Sequence, residues 1–341
     1  MSDPVIDIHV HFGAPEDQVS GCYWSEEFES GVAFFAFRLV TSSLFRKIDI
    51  GYIEKHLLKV INGAKHVDKC VLLALDQVYD ENGKVYDQNG EERRTHLHVP
   101  NSYLAKLARQ HDRILFGASV HPYRLDWKDE LQYCLDNKAV LCKWIPSSQQ
   151  IDLTNSKCLL FYEKLAEYKL PLLCHVGPEG AIPPFDKLSQ ELNNPRLLRN
   201  VLDAGVTVIA AHAALPLLPP PLESDKPYQE LVALFREAES KGWKLYADLS
   251  AINLGPRGMY VEKLKKDIPP ERLIFGSDYP IPILDTSQKP NLSIGHWLKH
   301  FFQTILIKNP LDKNFSLIKN MDFDECIFTN ASKLFEKIRY T

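Results

Sequence analysis

The sequence predicts an α/β fold, a (β/α)8 or TIM barrel with long insertions after strands 1 and 2. The prediction depends on eight short runs rich in Val, Ile, Leu and Ala, and on the segments of helical composition that separate most of them. Strands that are apolar along their whole length are typical of parallel sheets, which helices cover. Eight successive strand-then-helix units are the number that closes a barrel. The predicted strands are 5–12, 69–76, 113–120, 139–146, 170–177, 206–213, 244–251 and 272–280.

Signals at the helix ends support this alternation. Pro195 after Asn194 is typical of a helix start, and Gly205 and Gly242 follow helical segments where a C-terminal glycine is favoured. Further helices are predicted at 290–341. The whole chain, 1–341, is expected to form a single domain with its barrel strands at about 5–280. The predicted helices between strands are 101–110, 127–137, 155–168, 195–204, 228–241 and 258–266.

Two connections are too long for the simple pattern. Residues 14–67 contain "GVAFFAFRLV", which we interpret as a helix packed over the barrel mouth. A mobile lid, or a contact between the subunits of a homodimer, is the less favoured alternative for this stretch. Residues 77–98 contain two Asn-Gly pairs flanked by polar residues, a combination that favours a hairpin.

Composition excludes several classes of protein. The chain has 40 basic and 44 acidic residues and a net charge of -4, so a nucleic-acid-binding surface is not expected. No apolar run reaches the about 20 residues of a membrane span, and the start lacks a basic segment followed by an apolar one. The seven cysteines form no C-x-x-C pair, which favours reduced thiols. We therefore expect a cytoplasmic protein that binds no membrane and acts on a small-molecule substrate.

The first predicted strand carries two histidines in the sequence "VIDIHVHFG" (5–13). Successive side chains of a strand point to opposite faces, so Asp7, His9 and His11 are expected on one face and the aliphatic residues between them on the other. A polar face in the interior needs water, hydrogen bonds or a metal to satisfy it. This strand alone leaves metal binding and a hydrogen-bonded core equally open.

The active site of such a barrel lies at the carboxyl ends of its strands. Zinc prefers imidazole nitrogen with some carboxylate, and a water that the metal activates can attack a carbonyl while a carboxylate takes its proton. Asp76, His121 and Asp248 end three of the strands; His121 is interpreted as a core residue and Asp248 as a residue that orients a ligating histidine. The other five strands end in residues that bind or serve a divalent metal: His9, His11, Lys143, His175, His212 and Asp278.

Five segments together resemble the amidohydrolase superfamily of metal-dependent barrel hydrolases: "VIDIHVHFG", "CKWIP", "CHVG", "AHAA" and "IFGSDYP". The resemblance covers residues 5–280 and is closest to the amidohydrolase-related (amidohydrolase 2) branch, which also contains non-oxidative decarboxylases and lactonases. It implies that His212 either binds a second metal or donates a hydrogen bond to water or substrate, and that Asp278 transfers the proton. It also implies that a divalent metal is held by His9, His11, His175 and Asp278.

Lys143 leaves three interpretations open. In binuclear members of the superfamily the equivalent lysine is carboxylated by CO2 and bridges two metals, so the resemblance implies one or two ions per chain. A charged lysine that binds an anionic substrate and a lysine in a structural salt bridge are the other two. The metal is expected to be Zn, with Mn, Fe or Co as alternatives that the same ligand types accept.

Glu179, Arg257 and Lys143 are the candidates for substrate contacts. Glu179 follows His175 as His-x-x-x-Glu, whereas deaminase-like members have His-x-x-Glu, so deamination is not favoured. Arg257 lies in "INLGPRGM" after the seventh strand and could clamp a carboxylate bidentately, although a loop arginine more often faces solvent. Arg124, after "SVHPY", carries the same two alternatives.

The leading hypothesis is a metal-dependent hydrolase that cleaves an amide, ester or lactone of a small carboxylic acid derivative, with Asp278 and His212 as catalytic residues. The alternative is a non-oxidative decarboxylase that acts on an aromatic or unsaturated carboxylic acid at the same metal site. A non-catalytic binding barrel is a third hypothesis. It predicts the loss of ligand residues, and none of the six strand-end positions is lost.

Overall fold

A computed structural model of the protein describes residues 3–85, 87–88, 92–93, 95–183, 188–281, 283 and 306–339. Within these ranges, eight strands form one parallel sheet in which each strand pairs with the next barrel strand along the chain. Each lies inside one of the predicted apolar runs, so the predicted (β/α)8 fold is confirmed. The strands are β1 (Ile6–His11), β2 (Lys69–Leu73), β3 (Ile114–Ala118), β4 (Leu141–Trp144), β5 (Leu172–His175), β6 (Val208–Ala211), β7 (Leu245–Asp248) and β8 (Leu273–Ile274).

Backbone hydrogen bonds close the ring between β1 and the residues that follow β8. The N–H of Asp278 donates to the carbonyl of His9 at 2.8 Å, and the N–H of His11 donates to the carbonyl of Tyr279 at 2.7 Å. The closure of the barrel therefore places Asp278 beside both histidines of β1 through the main chain itself.

An apolar cluster fills the barrel below the strand ends. Strands from around the whole ring contribute to it, so the cluster lies inside the ring. The last helix packs against the same cluster through Ala331, Leu334 and Phe335. A larger apolar cluster lies between the strands and the outer helices. The strand contribution to the inner cluster includes Ile6, Ile8, Val71, Leu73, Leu115, Leu141, Leu173, Ile209, Ala211 and Ile274.

A β-bulge interrupts β1, so the strict alternation predicted for this strand is wrong. Between the paired residues Asp7 and Val10, β1 has two residues, Ile8 and His9, where β2 has one. A bulge of this kind shifts the direction of the following side chains by one residue. Ile8 consequently points into the apolar interior, and His9 and His11 point into the barrel above it.

Asp7 lies on the outer side of the bulge and does not share the face of the histidines. Its carboxylate accepts hydrogen bonds from the backbone N–H groups of His9 (3.2 Å) and Ser277 (2.9 Å). Burial raises the pKa of Asp7 to about 7, against the hydrogen bonds from Ser277. Asp7 therefore supports the bulge and the loop after β8 and lies apart from the metal-ligand candidates.

The helices between strands lie close to their predicted bounds. Gly242 ends α9 with a φ of +67°, a left-handed conformation that favours glycine. The predicted helices 195–204 and 258–266 begin as 3-10 turns, Pro195–Leu197 and Gly255–Tyr260. The α-helices are α1 (Glu26–Glu29), α2 (Val32–Val40), α3 (Ile50–Gly63), α4 (Asn101–Gln110), α5 (Trp127–Asp136), α6 (Pro146–Gln149), α7 (Lys157–Glu167), α8 (Leu198–Asp203), α9 (Lys226–Lys241), α10 (Val261–Asp267), α11 (Pro310–Lys319) and α12 (Asn330–Arg339).

The C-terminal segment is helical at α11 and α12. Part of the helical segment predicted for 290–341, residues 290–305, lies outside the described residues. The single-domain organisation stays a prediction.

The two long insertions pack near the barrel mouth. Helix α2 carries the "GVAFFAFRLV" stretch and places Ala33, Ala36 and Phe37 in the wall of the cavity at the mouth. The hairpin region contains an antiparallel pair, Asp87–Gln88 with Glu92–Arg93. Assembly into a homodimer stays a prediction.

The remaining expectations from composition concern thiols and membranes. All seven cysteines are free thiols. Among the described residues, no helix has the length and apolar character needed to cross a bilayer. A cytoplasmic location stays a prediction.

Candidate active site

The polar strand ends form the floor of a cavity of about 420 Å³ at the carboxyl end of the barrel. The floor includes His11, Lys143, His175, His212 and Asp278. A cavity of this size with a few polar groups among apolar walls is typical of a site for a small organic ligand. The first insertion and the loops after the strands supply its apolar walls, which include Trp24, Phe28, Phe37, Ile145, Ile182 and Leu217.

Three donor atoms from β1 and the β8 loop converge beneath this cavity. Nε2 of His9 lies 3.1 Å from Nε2 of His11 and 3.5 Å from Oδ1 of Asp278, and Nε2 of His11 lies 3.2 Å from the same oxygen. These separations are close to the roughly 3.4 Å between neighbouring ligands of a tetrahedral metal at about 2.1 Å from each. The three side chains form one of two groups of metal-binding residue types that the described residues bring together.

The protonation of His9 supports a cation at this cluster. Nδ1 of His9 lies 2.7 Å from Oδ2 of Asp248, so the imidazole donates its proton there and its Nε2 keeps a lone pair. Burial, and next the charge of Lys143, lower the pKa of His9 to about 4, so the ring is neutral near pH 7. This lone pair is directed at the cluster, so it is available to a cation bound there. The residues therefore fit a divalent metal held by His9, His11 and Asp278.

The second group, His9, His212 and Asp248, is occupied by its own hydrogen bonds. Asp248 accepts the Nδ1 proton of His9, and its Oδ1 accepts the backbone N–H of His212 at 2.7 Å. The hydroxyl of Ser250 also donates to Oδ1 of Asp248 and lies 2.7 Å from Nδ1 of His212. With its hydrogen donated to Asp248, this hydroxyl accepts the Nδ1 proton of His212. Asp248 and Ser250 therefore fix the tautomers of both imidazoles.

The backbone at His212 is held in a rarely populated conformation. His212, Ala213 and Ala214 have φ values of +55°, +48° and +53°, and Asp278 has a φ of +63°. Non-glycine residues in this left-handed region cost on the order of 1–3 kcal/mol each and cluster at functional sites. Gly177 packs against this turn, since a Cβ there would lie 3.1 Å from the carbonyl oxygen of Ala214. Two of the site residues, His212 and Asp278, therefore have a strained backbone.

His175 lies beside the cluster but does not join its three donor atoms. Its ring is 4.9 Å from the ring of His212, its Nδ1 is 3.3 Å from Oε2 of Glu179, and its Nε2 is 3.2 Å from the carbonyl of Pro178. Glu179 in turn accepts the backbone N–H of Ala181 through Oε1. The loop after β5 therefore orients His175 through Glu179, and the role of His175 as a fourth ligand stays a prediction.

Lys143 lies on the floor of the cavity with 1% of its surface exposed, and its Nζ is 3.3 Å from Nε2 of His9. Burial lowers the pKa of Lys143. Among the described residues, no carboxylate lies within 4 Å of Nζ, so a structural salt bridge, one of the three interpretations from the sequence, is not formed here. The other two interpretations stay predictions.

Arg257 is buried in the cavity floor, not in a solvated loop. It lies in the 3-10 turn after β7, is 2% exposed, and lines the same cavity as Asp278 and Glu179. Arg124, by contrast, is engaged by the carboxylates of Asp76, Asp126 and Glu130, so it is not available to clamp a substrate.

His121 is a core residue, as the sequence indicated. It is buried, its Nε2 lies 2.8 Å from the carbonyl of Gln149, and its Nδ1 accepts the N–H of Tyr123. Asp76 accepts the backbone N–H of His121 and pairs with Arg124, away from the metal-ligand candidates.

Ser250 and two aromatic residues of the first insertion, Trp24 and Phe28, were missed in the sequence analysis. Ser250 lies two residues after Asp248 on the same strand end, and this spacing is the signal that could have placed it beside the histidines. Trp24 and Phe28 carry no motif, and only the packing of α1 and α2 brings them to the cavity wall.

Replacement of Asp248 by Asn should weaken metal binding while the barrel stays folded. Asn cannot accept the His9 proton with a full negative charge, and loss of such a partner typically costs 10–100-fold in metal affinity. We expect the zinc dissociation constant to rise by about that factor in competition with a chromophoric chelator. Asp76→Asn, at a buried carboxylate outside the cluster, is the control and should leave the zinc affinity unchanged. Equal affinities of Asp248→Asn and the parent protein would contradict the orienting role.

The burial of His121 predicts that the free energy of unfolding depends on pH. Burial, opposed by the hydrogen bond to Gln149, lowers the pKa of His121 to about 3, whereas the unfolded chain has a value near 6.5. Between these values the unfolded state binds a proton that the folded state does not, so stability is lost as the pH falls. His121→Asn should make the fall in unfolding free energy between about pH 6.5 and pH 4.5 shallower by up to about 1.4 kcal/mol per pH unit.

Urea denaturation at a series of pH values measures this slope. The exposed His66 provides the matched control, since His66→Asn should leave the slope as it is. An unchanged slope in His121→Asn would show that this histidine is not the source.

Comparisons with known proteins show the family and the fold of the chain. A family model described as Amidohydrolase matches residues 71–301. An uncharacterized TIM-barrel protein from Bordetella bronchiseptica is 14% identical, with a TM-score of 0.54 over 96% of this chain and 99% of that chain. A dihydroxybenzoic acid decarboxylase from Polaromonas sp. JS666, solved with bound manganese and the inhibitor 2-nitroresorcinol, is 16% identical, with a TM-score of 0.54 over 100% of both chains.

An amidohydrolase from Burkholderia multivorans with bound HEPES is 13% identical, with a TM-score of 0.52 over 98% of this chain and 99% of that chain. At these identities the likeness to solved structures shows the fold. A comparison with curated proteins found no match. Because the family model covers most of the barrel, the chain belongs to the amidohydrolase family, whose metal-dependent hydrolases are the class of enzyme that the resemblance predicted.

Proposed function

We propose that the protein is a metal-dependent hydrolase that cleaves an amide, ester or lactone of a small carboxylic acid derivative. The observation that carries this proposal is the convergence of His9 Nε2, His11 Nε2 and Asp278 Oδ1 beneath an apolar-walled cavity. Membership of the amidohydrolase family supports the same class of reaction.

The metal of this proposal is zinc, held by His9, His11 and Asp278 with His175 as a further ligand. Two imidazoles and a carboxylate are a donor set of catalytic zinc sites, and manganese, iron or cobalt is the alternative that the same atoms accept. A bound divalent cation supplies Lewis-acid polarisation of a carbonyl oxygen and lowers the pKa of a nearby water.

Asp278 is the residue that transfers the proton in this proposal. Asp278 carries two oxygens, of which Oδ1 faces His9 and His11 and Oδ2 lies 3.9 Å from Nδ1 of His212. We infer that Oδ2 accepts a proton from the attacking water and returns it to the leaving group. Burial lowers the pKa of His212 well below its ordinary value, so His212 acts as a neutral hydrogen-bond partner and not as an acid.

The walls of the cavity contribute by excluding water. Trp24, Phe28, Phe37, Ile145 and Ile182 all line the cavity, so a ligand on the floor has apolar groups around it. Electrostatic interactions with the reacting atoms are stronger in such surroundings than in water.

Non-oxidative decarboxylation is the second candidate reaction at this site. The specific observation in its favour is the presence of two buried cationic side chains, Lys143 and Arg257, on the cavity floor. Among the described residues, neither has a carboxylate within 4 Å, so both suit a carboxylated substrate.

A substrate panel separates the two reactions and tests the role of Asp278. We expect turnover of at least one ester, lactone or amide of an apolar acid, and Asp278→Asn should lower kcat by about 10²–10⁴-fold because the proton acceptor is lost. Far-UV circular dichroism should show an unchanged fold. Asp76→Asn is the matched control and should keep kcat within a few-fold of the parent.

Two results would contradict the proposal. Release of carbon dioxide from aromatic carboxylates without hydrolysis of any panel member would replace it by the second candidate. Full activity of Asp278→Asn would remove the assigned proton acceptor.

Metal content tests the metal part of the proposal. One ion per chain is expected, because the second group of metal-binding residue types already uses Asp248 and both of its neighbouring imidazoles in hydrogen bonds. Elemental analysis of protein purified without added metal measures the stoichiometry, and chelator dialysis should abolish an activity that zinc restores. A value near two would favour a carboxylated Lys143, and a reproducible zero would contradict the metal site.

A further inference from the structure

Arg257 is a buried side chain to which the proposed hydrolysis assigns no step. It belongs to the 3-10 turn Gly255–Tyr260 after β7, is 2% exposed, and lines the cavity floor. Neighbouring charges on this floor come from Asp278 and Glu179, whose carboxylates act on Arg257 only at a distance.

Within the described ranges, the guanidinium of Arg257 lacks the carboxylate partner that a buried charge normally has. Its Nε is buried without a hydrogen-bond partner. Across the part of the chain that the structure describes, no carboxylate lies within 4 Å of it. An arginine stays protonated even when buried, so the fold cannot relieve the cost of this charge by neutralising it.

A second arginine in the same chain, which is only partly buried, shows the usual solution. Arg124 follows β3 at the same end of the barrel, and the carboxylates of Asp76, Asp126 and Glu130 surround it at 2.8–3.4 Å. The fold thus surrounds a partly buried guanidinium with carboxylates, whereas the more deeply buried guanidinium of Arg257 faces the cavity. A charge that destabilises the folded state without a structural partner is typical of a residue kept for a ligand.

The walls above Arg257 define the rest of that ligand. The aromatic side chains of Trp24, Phe28 and Phe37 and the aliphatic side chains of Leu254 and Leu217 line the cavity. A ligand that fills it therefore has an apolar body and an anionic end. A carboxylate matches the planar fork of an arginine with two parallel hydrogen bonds.

We propose that Arg257 binds a free carboxylate of the substrate, and that the substrates carry one such carboxylate on an aromatic or branched apolar body in addition to the bond that is cleaved. The proposal rests on the proposed function in taking this cavity as the substrate site. It concerns binding, so it is tested without turnover, and a failure to find a hydrolysed substrate leaves its test intact.

The ligand arm of the test uses the parent protein with its metal bound. Calorimetric titration compares 4-tert-butylbenzoate with 4-tert-butylbenzamide, which has the same shape and no charge. We expect the acid to bind about 10–100-fold more tightly than the amide, the range expected when a charge-assisted bidentate pair replaces a neutral contact. Equal affinities would overturn the proposal, and this arm does not depend on any variant folding.

The protein arm uses Arg257→Gln and Arg257→Lys. Arg257→Gln should lose about 10–100-fold in affinity for 4-tert-butylbenzoate and keep its affinity for the amide, while Arg257→Lys should fall between it and the parent. Arg199→Gln is the matched control, because it removes a guanidinium from the outer helix α8 and should leave ligand binding unchanged.

Thermal stability distinguishes a ligand-binding arginine from a structural one, because replacement of a structural arginine would lower the thermal midpoint. Arg257→Gln removes a buried charge that has no ion partner among the described residues, so its thermal midpoint should equal or exceed that of the parent. A lower midpoint with full affinity for the acid would show a structural residue and overturn the proposal.

Metal content completes the test, since a cation at the His9–His11–Asp278 cluster could also take the carboxylate. We expect unchanged metal content in Arg257→Gln and loss of acid binding all the same. If acid binding persists in Arg257→Gln and disappears when a chelator removes the metal, the metal is the anion site and the assignment to Arg257 is wrong.

Discussion

The carboxylate of Asp248 is the group on which the geometry of the site depends. It accepts the imidazole proton of His9 and the backbone N–H of His212, and it receives the hydroxyl of Ser250 that also contacts His212. A fully buried charge is tolerated only when such hydrogen bonds replace water. Because the partners come from β1, β6 and β7, this one group fixes the relative positions of three strand ends.

Other buried charges at the mouth divide into two kinds. Glu179 and Asp76 resemble Asp248, since each is held by backbone N–H groups or by a cationic partner. Lys143 and Arg257 are buried on the cavity floor without a carboxylate nearby in the described part of the chain. The first kind stabilises the loops, and the second leaves positive charge directed at whatever enters the cavity.

The strained backbone and the apolar walls of the cavity come from different parts of the fold. The left-handed turn at His212–Ala214 is over-determined by Asp248 below it and Gly177 beside it, so the strained backbone stays in place. The apolar walls, by contrast, come largely from the insertion after β1, with Trp24, Phe28, Phe34 and Phe37 in mutual ring contact. The barrel thus holds the chemical groups, and the insertion shapes the space above them.

The bulge in β1 explains why strict alternation predicted the direction of His9 and His11 correctly but that of Asp7 wrongly. Strict alternation grouped Asp7 with His9 and His11, but one extra residue at Ile8–His9 turns Asp7 away from them. The histidines still point into the barrel because the bulge corrects their direction. A bulge has no reliable sequence signal, since it depends on the register with β2, a partner far along the chain.

By itself, the sequence determined the barrel and the set of polar residues at its strand ends. Strand periodicity is a local property of the sequence, and the site of such a barrel lies at the carboxyl ends of the strands. Only the tertiary structure decided which of those residues contact one another. It brought His9, His11 and Asp278 together through ring closure, turned His175 toward Glu179, and surrounded Arg124 with carboxylates. It also buried Arg257 without an ion partner in the part of the chain that the structure describes. The physical reason is that contacts across the ring and between loops depend on distances in space, which neither spacing nor composition encodes.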